Sequence, residues 1–292
     1  MNETPATKVL PQRRWFQLRL RTLLVLVTLV SMLLGWISWE QERRRQEQTT
    51  IAWVEEMGGH RNLGYWGISW WNRNVVATTD KFFGELLREI WLTKTNVTDL
   101  SPLAGLKNLE FLHLEKLKVD DLSPLAELKS LKFINLSNTL VSDLAPLAGL
   151  KNLEVLRLSD TAVSDLSPLA GLSNLEMLYL AQTKVSDLSS LEGLKNLEGL
   201  DLWRTDVSDL SPLADLKKLE ILSLEATQVS DLSPLAGLEN LEQLRLDGTE
   251  VRDLSPLKGM ENLKWLNLEN TQIGEEQIEQ LKLALPNCKI SR

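Results

Sequence analysis

Aspartate is the residue type most regularly placed for chemistry in this sequence. It recurs every 22 residues and is always followed by Leu, at Asp99, Asp121, Asp143, Asp165, Asp187, Asp209, Asp231 and Asp253. A row of carboxylates could ligate calcium, but calcium requires several oxygen ligands around each ion. Each Asp also precedes a Ser-Pro pair or its equivalent by two residues, where it can accept hydrogen bonds from backbone amides at a helix start. The pattern therefore favours a structural role over a calcium site.

Other residue types give no arrangement typical of an enzyme. The two histidines, His60 and His113, stand at unrelated positions, and the single cysteine, Cys288, has no partner for a disulfide. The sequence contains no C-x-x-C or H-E-x-x-H motif, and its repeated Gly is isolated rather than part of a phosphate-binding loop. We therefore expect a protein that is not an enzyme and that holds no metal and no cofactor.

A 22-residue repeat predicts the elements that position these residues. One copy, residues 143–164, reads DLAPLAGLKNLEVLRLSDTAVS. Its central x-L-x-L-x alternates with period two, as expected of a β-strand that buries one face. Nine strands are predicted in this way, with the buried pairs Ile90/Leu92, Leu112/Leu114, Ile134/Leu136, Leu156/Leu158, Leu178/Leu180, Leu200/Leu202, Leu222/Leu224, Leu244/Leu246 and Leu266/Leu268.

The segment between two strands predicts a short helical return. In its most regular form it reads SPLAGL, as from Ser167, which places Ser at the N-cap and Pro at the first helical position. A Thr follows most strands, and its hydroxyl is expected to bond to the backbone. The Thr positions are Thr139, Thr161, Thr183, Thr205, Thr227, Thr249 and Thr271. In the first full repeat Leu117 takes this place.

These features resemble the leucine-rich repeat family, in particular its internalin-like subclass with 22-residue repeats. The chain departs from the family at the buried polar position after the strand, where Asn or Cys is common and Thr stands here. The resemblance implies an α/β solenoid, a leucine-rich repeat horseshoe with a parallel β-sheet on its concave face. We expect the repeats over residues 87–274 and a C-terminal cap over residues 275–292, which begins as an amphipathic helix.

The N-terminal region contains an uncharged run, TLLVLVTLVSMLLGWISW, over residues 22–39. As a helix of about 1.5 Å per residue it would extend roughly 27 Å, enough to cross the apolar core of a bilayer. Bulky and charged residues follow where a signal peptide would be cut, so we predict an uncleaved transmembrane signal anchor. The arrangement resembles predicted single-pass repeat proteins of bacteria, and it implies one transmembrane helix before the solenoid.

Flanking charge predicts the orientation of this anchor. Lys and Arg are more frequent in the basic segment 1–21 than directly after the run. The positive-inside rule then predicts a cytoplasmic N-terminus and a repeat domain exported to the periplasm or the cell surface. Next we expect a juxtamembrane helix over residues 40–59, which ends at Gly58 and Gly59, and an N-terminal cap of the solenoid over residues 60–86.

Charge also narrows the class of partner. The formal net charge is −8, and acidic side chains outnumber basic ones over residues 99–292. Such a repeat domain disfavours nucleic acid as its partner, because both carry negative charge.

The outward x positions of the strands are where the repeats differ most from one another. There we predict a contiguous exposed apolar stripe of Phe111, Phe133, Val155, Met177 and Tyr179, with Arg157 beside it to anchor a carboxylate. Alternatively, these residues only satisfy strand propensity or are covered by the N-terminal cap. The full set of predicted partner-binding residues is Trp91, Phe111, His113, Phe133, Asn135, Val155, Arg157, Met177, Tyr179, Asp201, Trp203, Arg245 and Trp265.

The sequence thus predicts a membrane-anchored leucine-rich repeat protein that binds a protein or peptide partner at the cell envelope. The N-terminal half of the concave face would dock the partner, and the acidic C-terminal half would steer basic partners. Two alternatives remain open. One is a regulatory subunit that faces the cytosol, similar to the repeat-containing regulators of phosphatases, and the other is a passive envelope scaffold without a specific ligand.

Overall fold

The computed structural model describes residues 12–58, 60–62, 87–92 and 96–292, while the side chains of residues 12–24, 26 and 60–62 lie outside the described part. The chain divides into two compact units, residues 1–48 and residues 49–292. Two helices are described, α1 (Gln12–Glu56) and α2 (Glu275–Ala284). The strands are β1 (His60–Asn62), β2 (Glu89–Trp91), β3 (Phe111–His113), β4 (Phe133–Asn135), β5 (Val155–Arg157), β6 (Met177–Tyr179), β7 (Gly199–Asp201), β8 (Ile221–Ser223), β9 (Gln243–Arg245), β10 (Trp265–Asn267) and β11 (Lys289–Ser291).

The strands form one sheet in chain order, from β1 to β11. Strands β2 to β11 are parallel, whereas β1 pairs with β2 in the antiparallel direction. In this register the central apolar residues align, so that Leu156 lies opposite Ile134 on one side and Leu178 on the other. The predicted parallel sheet of an open solenoid is therefore confirmed. Each of the strands β2 to β10 contains the first residue of one predicted pair, and the second residue directly follows the strand, while β1 and β11 lie outside the predicted set.

The leucines of the repeat form one continuous core. At β5 both members of the predicted pair are fully buried: Leu156 in the strand and Leu158 directly after it. Leu147, Leu150 and Leu153 of the segment that leads to the strand are also fully buried. All belong to a single hydrophobic cluster that runs through every repeat. Because each copy buries the same positions, removal of apolar surface from water stabilises the solenoid repeat by repeat.

Each return segment contains one turn of 3₁₀ helix. These turns are Ser101–Leu103, Ser123–Leu125, Ala145–Leu147, Ser167–Leu169, Ser189–Leu191, Ser211–Leu213, Ser233–Leu235 and Ser255–Leu257. The prediction that Ser is the N-cap is wrong, because the cap position is taken by the preceding residue, such as Leu166, and Ser is the first residue of the turn. Leu has no side-chain oxygen, so the capping contact comes from one residue further back.

That contact comes from the Asp column. The Asp165 carboxylate accepts a hydrogen bond of 2.8 Å from the Ser167 backbone N–H and one of 2.9 Å from the Ser167 hydroxyl. These two bonds hold the pKa of Asp165 below its usual range. The backbone contact recurs at every Asp of the column, from Asp99 to Asp253. The predicted structural role is therefore confirmed.

A Thr hydroxyl bonds to the backbone after most of the strands. The Thr161 hydroxyl donates to the Leu158 carbonyl oxygen at 2.6 Å, and the contact recurs in every repeat that carries the Thr. The residue before the Thr adopts the left-handed backbone conformation, with φ of 56° at Asp160. The predicted bond between Thr and the backbone is confirmed. In the first full repeat, Leu117 fills the same position with an apolar side chain.

Helical segments pack against both ends of the core. At the N-terminal end, Ile51 and Val54 of α1 are buried in the cluster, and the Thr50 hydroxyl donates to the Pro102 carbonyl oxygen at 2.9 Å. At the C-terminal end, Ile278 and Leu281 of α2 are buried in the same cluster. The last turns of α1 thus contribute to covering the first repeat. The predicted cap over residues 60–86 lies outside the described residues except for strand β1.

The segments predicted over residues 22–39 and 40–59 belong, as far as Glu56, to one continuous helix. Helix α1 runs from Gln12 to Glu56 and ends before Gly58, whose φ of 74° terminates the helix as predicted.

The predicted membrane localisation is wrong. Within the described residues, no helix combines the length and the apolar character that a membrane span requires. We therefore withdraw the predicted single-pass topology, together with the cytoplasmic N-terminus and the exported repeat domain.

Candidate functional site

Outward side chains of neighbouring strands lie in register and form two rows across the sheet. The first residues of the strands form one row, which includes Phe111, Phe133, Val155, Met177 and Gly199. The third residues form the other, which includes Trp91, His113, Asn135, Arg157, Tyr179 and Asp201. Because the leucine between them points into the core, both rows face away from it.

Aromatic rings stack on one another at the N-terminal end of this face. The Trp91 and His113 rings are almost parallel, at 8°, with their centroids 3.5 Å apart. The His113 ring in turn lies 4.6 Å from that of Phe133. The Trp91 indole N–H donates to the Glu89 carboxylate at 2.8 Å, which fixes the orientation of the indole.

Arg157 continues the stack. Its guanidinium carbon lies 5.8 Å from the centre of the Phe133 ring and 4.7 Å from the centre of the Tyr179 ring. Both distances are within the range of cation–π attraction. We call the five side chains Trp91, His113, Phe133, Arg157 and Tyr179 the aromatic ladder. Together they cross five neighbouring strands, β2 to β6.

Asn135 stands in the same row but does not join the ladder. It is buried, its amide donates to the Glu115 carboxylate, and its side-chain oxygen accepts the Ser137 backbone N–H at 3.0 Å. These two bonds hold the Asn135 side chain against the sheet. The Phe133 ring and the Arg157 guanidinium can therefore contact each other on the outer side of it.

His113 has a perturbed protonation equilibrium. It is half-buried between its two aromatic neighbours, and burial lowers its pKa below the usual 6.5 because the imidazolium ion loses its hydration. Glu89, whose carboxylate lies 3.4 Å from Nε2, and Glu115 oppose this shift, whereas the charge of Arg157 adds to it.

An apolar shelf adjoins the ladder. It is formed by Val155 and Met177, which are half-buried and paired across β5 and β6. The end of the Met177 side chain lies over Gly199 of β7, where an added Cβ would overlap the Met177 methyl group. Glycine at this position therefore gives Met177 the room to lie flat on the sheet.

The C-terminal half of the face is built from paired charges. Arg245 lies over the Trp265 ring at 5.2 Å, and its guanidinium is 3.8 Å from the Glu225 carboxylate. The Asp201 carboxylate accepts the Trp203 backbone N–H at 3.0 Å. The contacts here are made by charged side chains, with Arg245 over a single Trp ring, in contrast to the successive stacked rings of the N-terminal half.

The predicted partner-binding residues thus divide by exposure. Trp91 and Arg157 are exposed and Asn135 is buried, while the half-buried ones are Phe111, His113, Phe133, Val155, Met177, Tyr179, Asp201, Trp203, Arg245 and Trp265. The predicted apolar stripe is contiguous but only partly exposed: the Phe133 ring lies against His113 and Arg157, and the Tyr179 ring lies against Arg157. Sequence reasoning did not include Glu89 and Glu115, although the same alternation of the strands places both on the outward face.

Comparisons with known proteins agree with this architecture. A family model described as Leucine Rich repeats (2 copies) matches residues 86–127, 129–171, 151–193, 173–215 and 195–237, more than half of the chain. No curated protein matches the chain by sequence.

Several solved structures are similar. Internalin C2 of Listeria monocytogenes is 34% identical with a TM-score of 0.60, over 65% of this chain and 83% of that one. Internalin F of the same organism is 25% identical with a TM-score of 0.54, over 69% and 72%. A leucine-rich repeat protein of Leptospira interrogans, 24% identical with a TM-score of 0.57 over 67% and 57%, shares the fold. Because the family model matches its repeats over more than half of the chain, and two internalins share the architecture, this chain belongs to the leucine-rich repeat family.

Proposed function

We propose that this protein binds a protein or peptide partner on the N-terminal half of its concave face, over strands β2 to β6. Leucine-rich repeat domains are typically non-enzymatic scaffolds for protein–protein interaction. In this chain the constant apolar residues of the repeat form the core. The outward residues are free to differ from repeat to repeat, and they supply the specificity.

The aromatic ladder is the observation that supports this site best. Trp, Tyr and Arg are the residues most enriched among those that dominate binding energies. Here Trp91, Arg157 and Tyr179 stand in one row, and stacking with His113 and Phe133 holds them in place. Because these side chains are ordered before a partner arrives, binding loses less conformational entropy than it would with free rotamers.

The acidic residues of the C-terminal half would contribute mainly to the rate of association. Glu225, Asp247 and Glu269 occupy equivalent positions just after β8, β9 and β10. Their combined field attracts a basic segment of a partner, and salt screens this attraction beyond a Debye length of about 8 Å at physiological ionic strength.

The test is selection of binders from a library of displayed random peptides on the full-length chain, followed by titration of one selected peptide. Replacing Phe133 and Tyr179 together with Ser should weaken binding of that peptide at least about tenfold, since two rings of the ladder are lost. Neither side chain lies in the core, so we expect the double variant to remain folded at a cost of about 1–2 kcal/mol from the lost stacking.

Circular dichroism and thermal unfolding of the double variant serve as the control for folding. If the folded variant binds the peptide as tightly as the unchanged chain, the ladder is not the site. If the unchanged chain selects no peptide at all, the alternative of a passive scaffold without a specific ligand is favoured.

A further inference from the structure

We propose that the aromatic ladder recognises an acidic side chain on a protein partner, whose carboxylate binds the Arg157 guanidinium while an adjoining apolar side chain rests on Val155 and Met177. This inference refines the proposed function and rests on it. It follows from the charge, the position and the surroundings of Arg157.

Arg157 presents an exposed cation that the rest of the face leaves available. Within the described residues, its guanidinium makes no ion pair and no hydrogen bond; its contacts are with the rings of Phe133 and Tyr179. Arg245, four strands further on, makes a similar contact with a ring but is paired with Glu225 at 3.8 Å. Ring contacts use the face of the guanidinium plane and leave the N–H donors at its edge for a carboxylate.

Two acidic residues of the outward face, Glu115 and Asp201, already have other contacts. Glu115 accepts a hydrogen bond from the Asn135 amide, and Asp201 accepts the Trp203 backbone N–H at 3.0 Å. An incoming carboxylate therefore does not displace an existing partner of Arg157. Because the neighbouring acids add negative potential, the site matches the single charge of a carboxylate better than the nearly double charge of a phosphate.

The location of Arg157 favours a side-chain carboxylate over the end of a chain. Arg157 lies on β5, and the ladder extends over β2 to β4 on one side and β6 on the other. A partner that covers the whole ladder extends past Arg157 on both sides. The carboxylate that contacts Arg157 is therefore that of an internal Asp or Glu side chain of the partner.

The apolar shelf specifies the neighbour of this acidic residue. Val155 lies on the same strand as Arg157, two residues earlier, and pairs with Met177 of the neighbouring strand β6. Met177 reaches over Gly199, which extends the shelf by one further strand. An aliphatic or aromatic side chain next to the partner's acid would remove this surface from water.

The experiment compares the peptides that full-length variants select from a random peptide library. The unchanged chain should enrich peptides with Asp or Glu beside an apolar residue. Arg157→Glu should instead enrich Lys or Arg at that place, and Arg157→Gln should weaken a peptide selected by the unchanged chain at least about tenfold, because a charge-assisted bidentate contact is lost. Arg245→Gln is the matched control and should change the affinity less than about twofold, since its charge is already paired.

The outcomes separate this inference from the proposed function. Selected peptides without acidic residues, or equal binding by Arg157→Gln, would overturn the carboxylate contact. The proposed function would still stand in that case if Phe133→Ser with Tyr179→Ser weakened binding at least about tenfold. If both variants bind as the unchanged chain does, or if no peptide is selected, then both proposals fail.

Discussion

The two halves of the concave face share one core but differ in what they place above it. Beneath both, fully buried leucines such as Leu156 in β5 and Leu244 in β9 occupy the same place in the repeat. Above β2 to β6 the outward residues stack as rings around an exposed Arg157, whereas above β8 to β10 the corresponding arginine, Arg245, is paired with Glu225. Stability in this fold depends on the constant inward positions, and we propose that recognition depends on the variable outward ones.

The largest expected effect tests whether the core is equivalent in the two halves. Leu156→Ala and Leu244→Ala each remove a fully buried side chain, and each should lower the free energy of unfolding by about 3 kcal/mol. Urea unfolding followed by circular dichroism measures both. Val155→Ala, at a half-buried outward position of the same strand, is the control and should cost less than about 1 kcal/mol. Unequal costs for the two leucines would contradict the shared core.

A smaller effect tests the buried hydroxyls. The Thr183 hydroxyl donates to the Leu180 carbonyl oxygen at 2.6 Å in a buried position. Thr183→Val keeps the shape of the side chain but leaves that carbonyl without the bond, so we expect a loss of about 1 kcal/mol. The same substitution at Thr249 in the C-terminal half, with an equivalent bond of 2.7 Å, should cost a similar amount. No loss of stability at either position would show that the hydroxyl bond is dispensable.

A mirrored pair of substitutions tests the left-handed position before the Thr. Asn138 in the N-terminal half and Ala226 in the C-terminal half have φ of 59° and 54°. Asn tolerates this conformation better than Ala, so Asn138→Ala should destabilise by about 0.5 kcal/mol and Ala226→Asn should stabilise by about as much. Thermal unfolding under identical conditions measures the two shifts, and shifts of the same sign would refute the backbone explanation.

The smallest effect concerns pH and belongs to the N-terminal half alone. The folded protein disfavours the imidazolium form of His113, whose pKa lies below 6.5, so the unfolded chain takes up this proton more readily. The contribution of His113 is therefore fully present above pH 6.5 and is lost as the pH falls through that value towards the lower pKa of the folded state. His113→Asn should flatten the dependence of the unfolding free energy on pH just below 6.5, and an unchanged slope would contradict the assignment.

Repetition explains why so much of the fold was predictable. The alternation around Leu156 and Leu158 repeats nine times in phase, so the strands, their register and the buried leucines follow from the period alone. The regular spacing of Asp before the 3₁₀ turn likewise indicated its hydrogen bonds to the backbone. The prediction of Ser as the N-cap was wrong because each turn begins one residue earlier than expected, at Ser itself. The cap position therefore falls on Leu, which no capping preference predicts.

The ends of the chain and the face were less predictable because they do not repeat. Strand β11 and the packing of Ile51 and Val54 on the first repeat depend on contacts that occur once. The uncharged run near residue 30 was interpreted from composition as a membrane anchor, an interpretation that the described helix does not support. On the face, exposure of Phe133 and Tyr179 was overestimated, since the period gives the direction of a side chain but not its stacking on neighbours from other strands.

The most direct test of the central claim compares two double variants of the full-length chain against one peptide selected by the unchanged chain. One variant is Phe133→Ser with Tyr179→Ser in the N-terminal half, and the other is Trp203→Ser with Trp265→Ser in the C-terminal half. Equilibrium titration should show at least about a tenfold loss of affinity for the first and less than about a threefold loss for the second, because the docking rings lie over β2 to β6. An equal loss in both variants, or a greater loss in the second, would contradict the assignment of recognition to the N-terminal half.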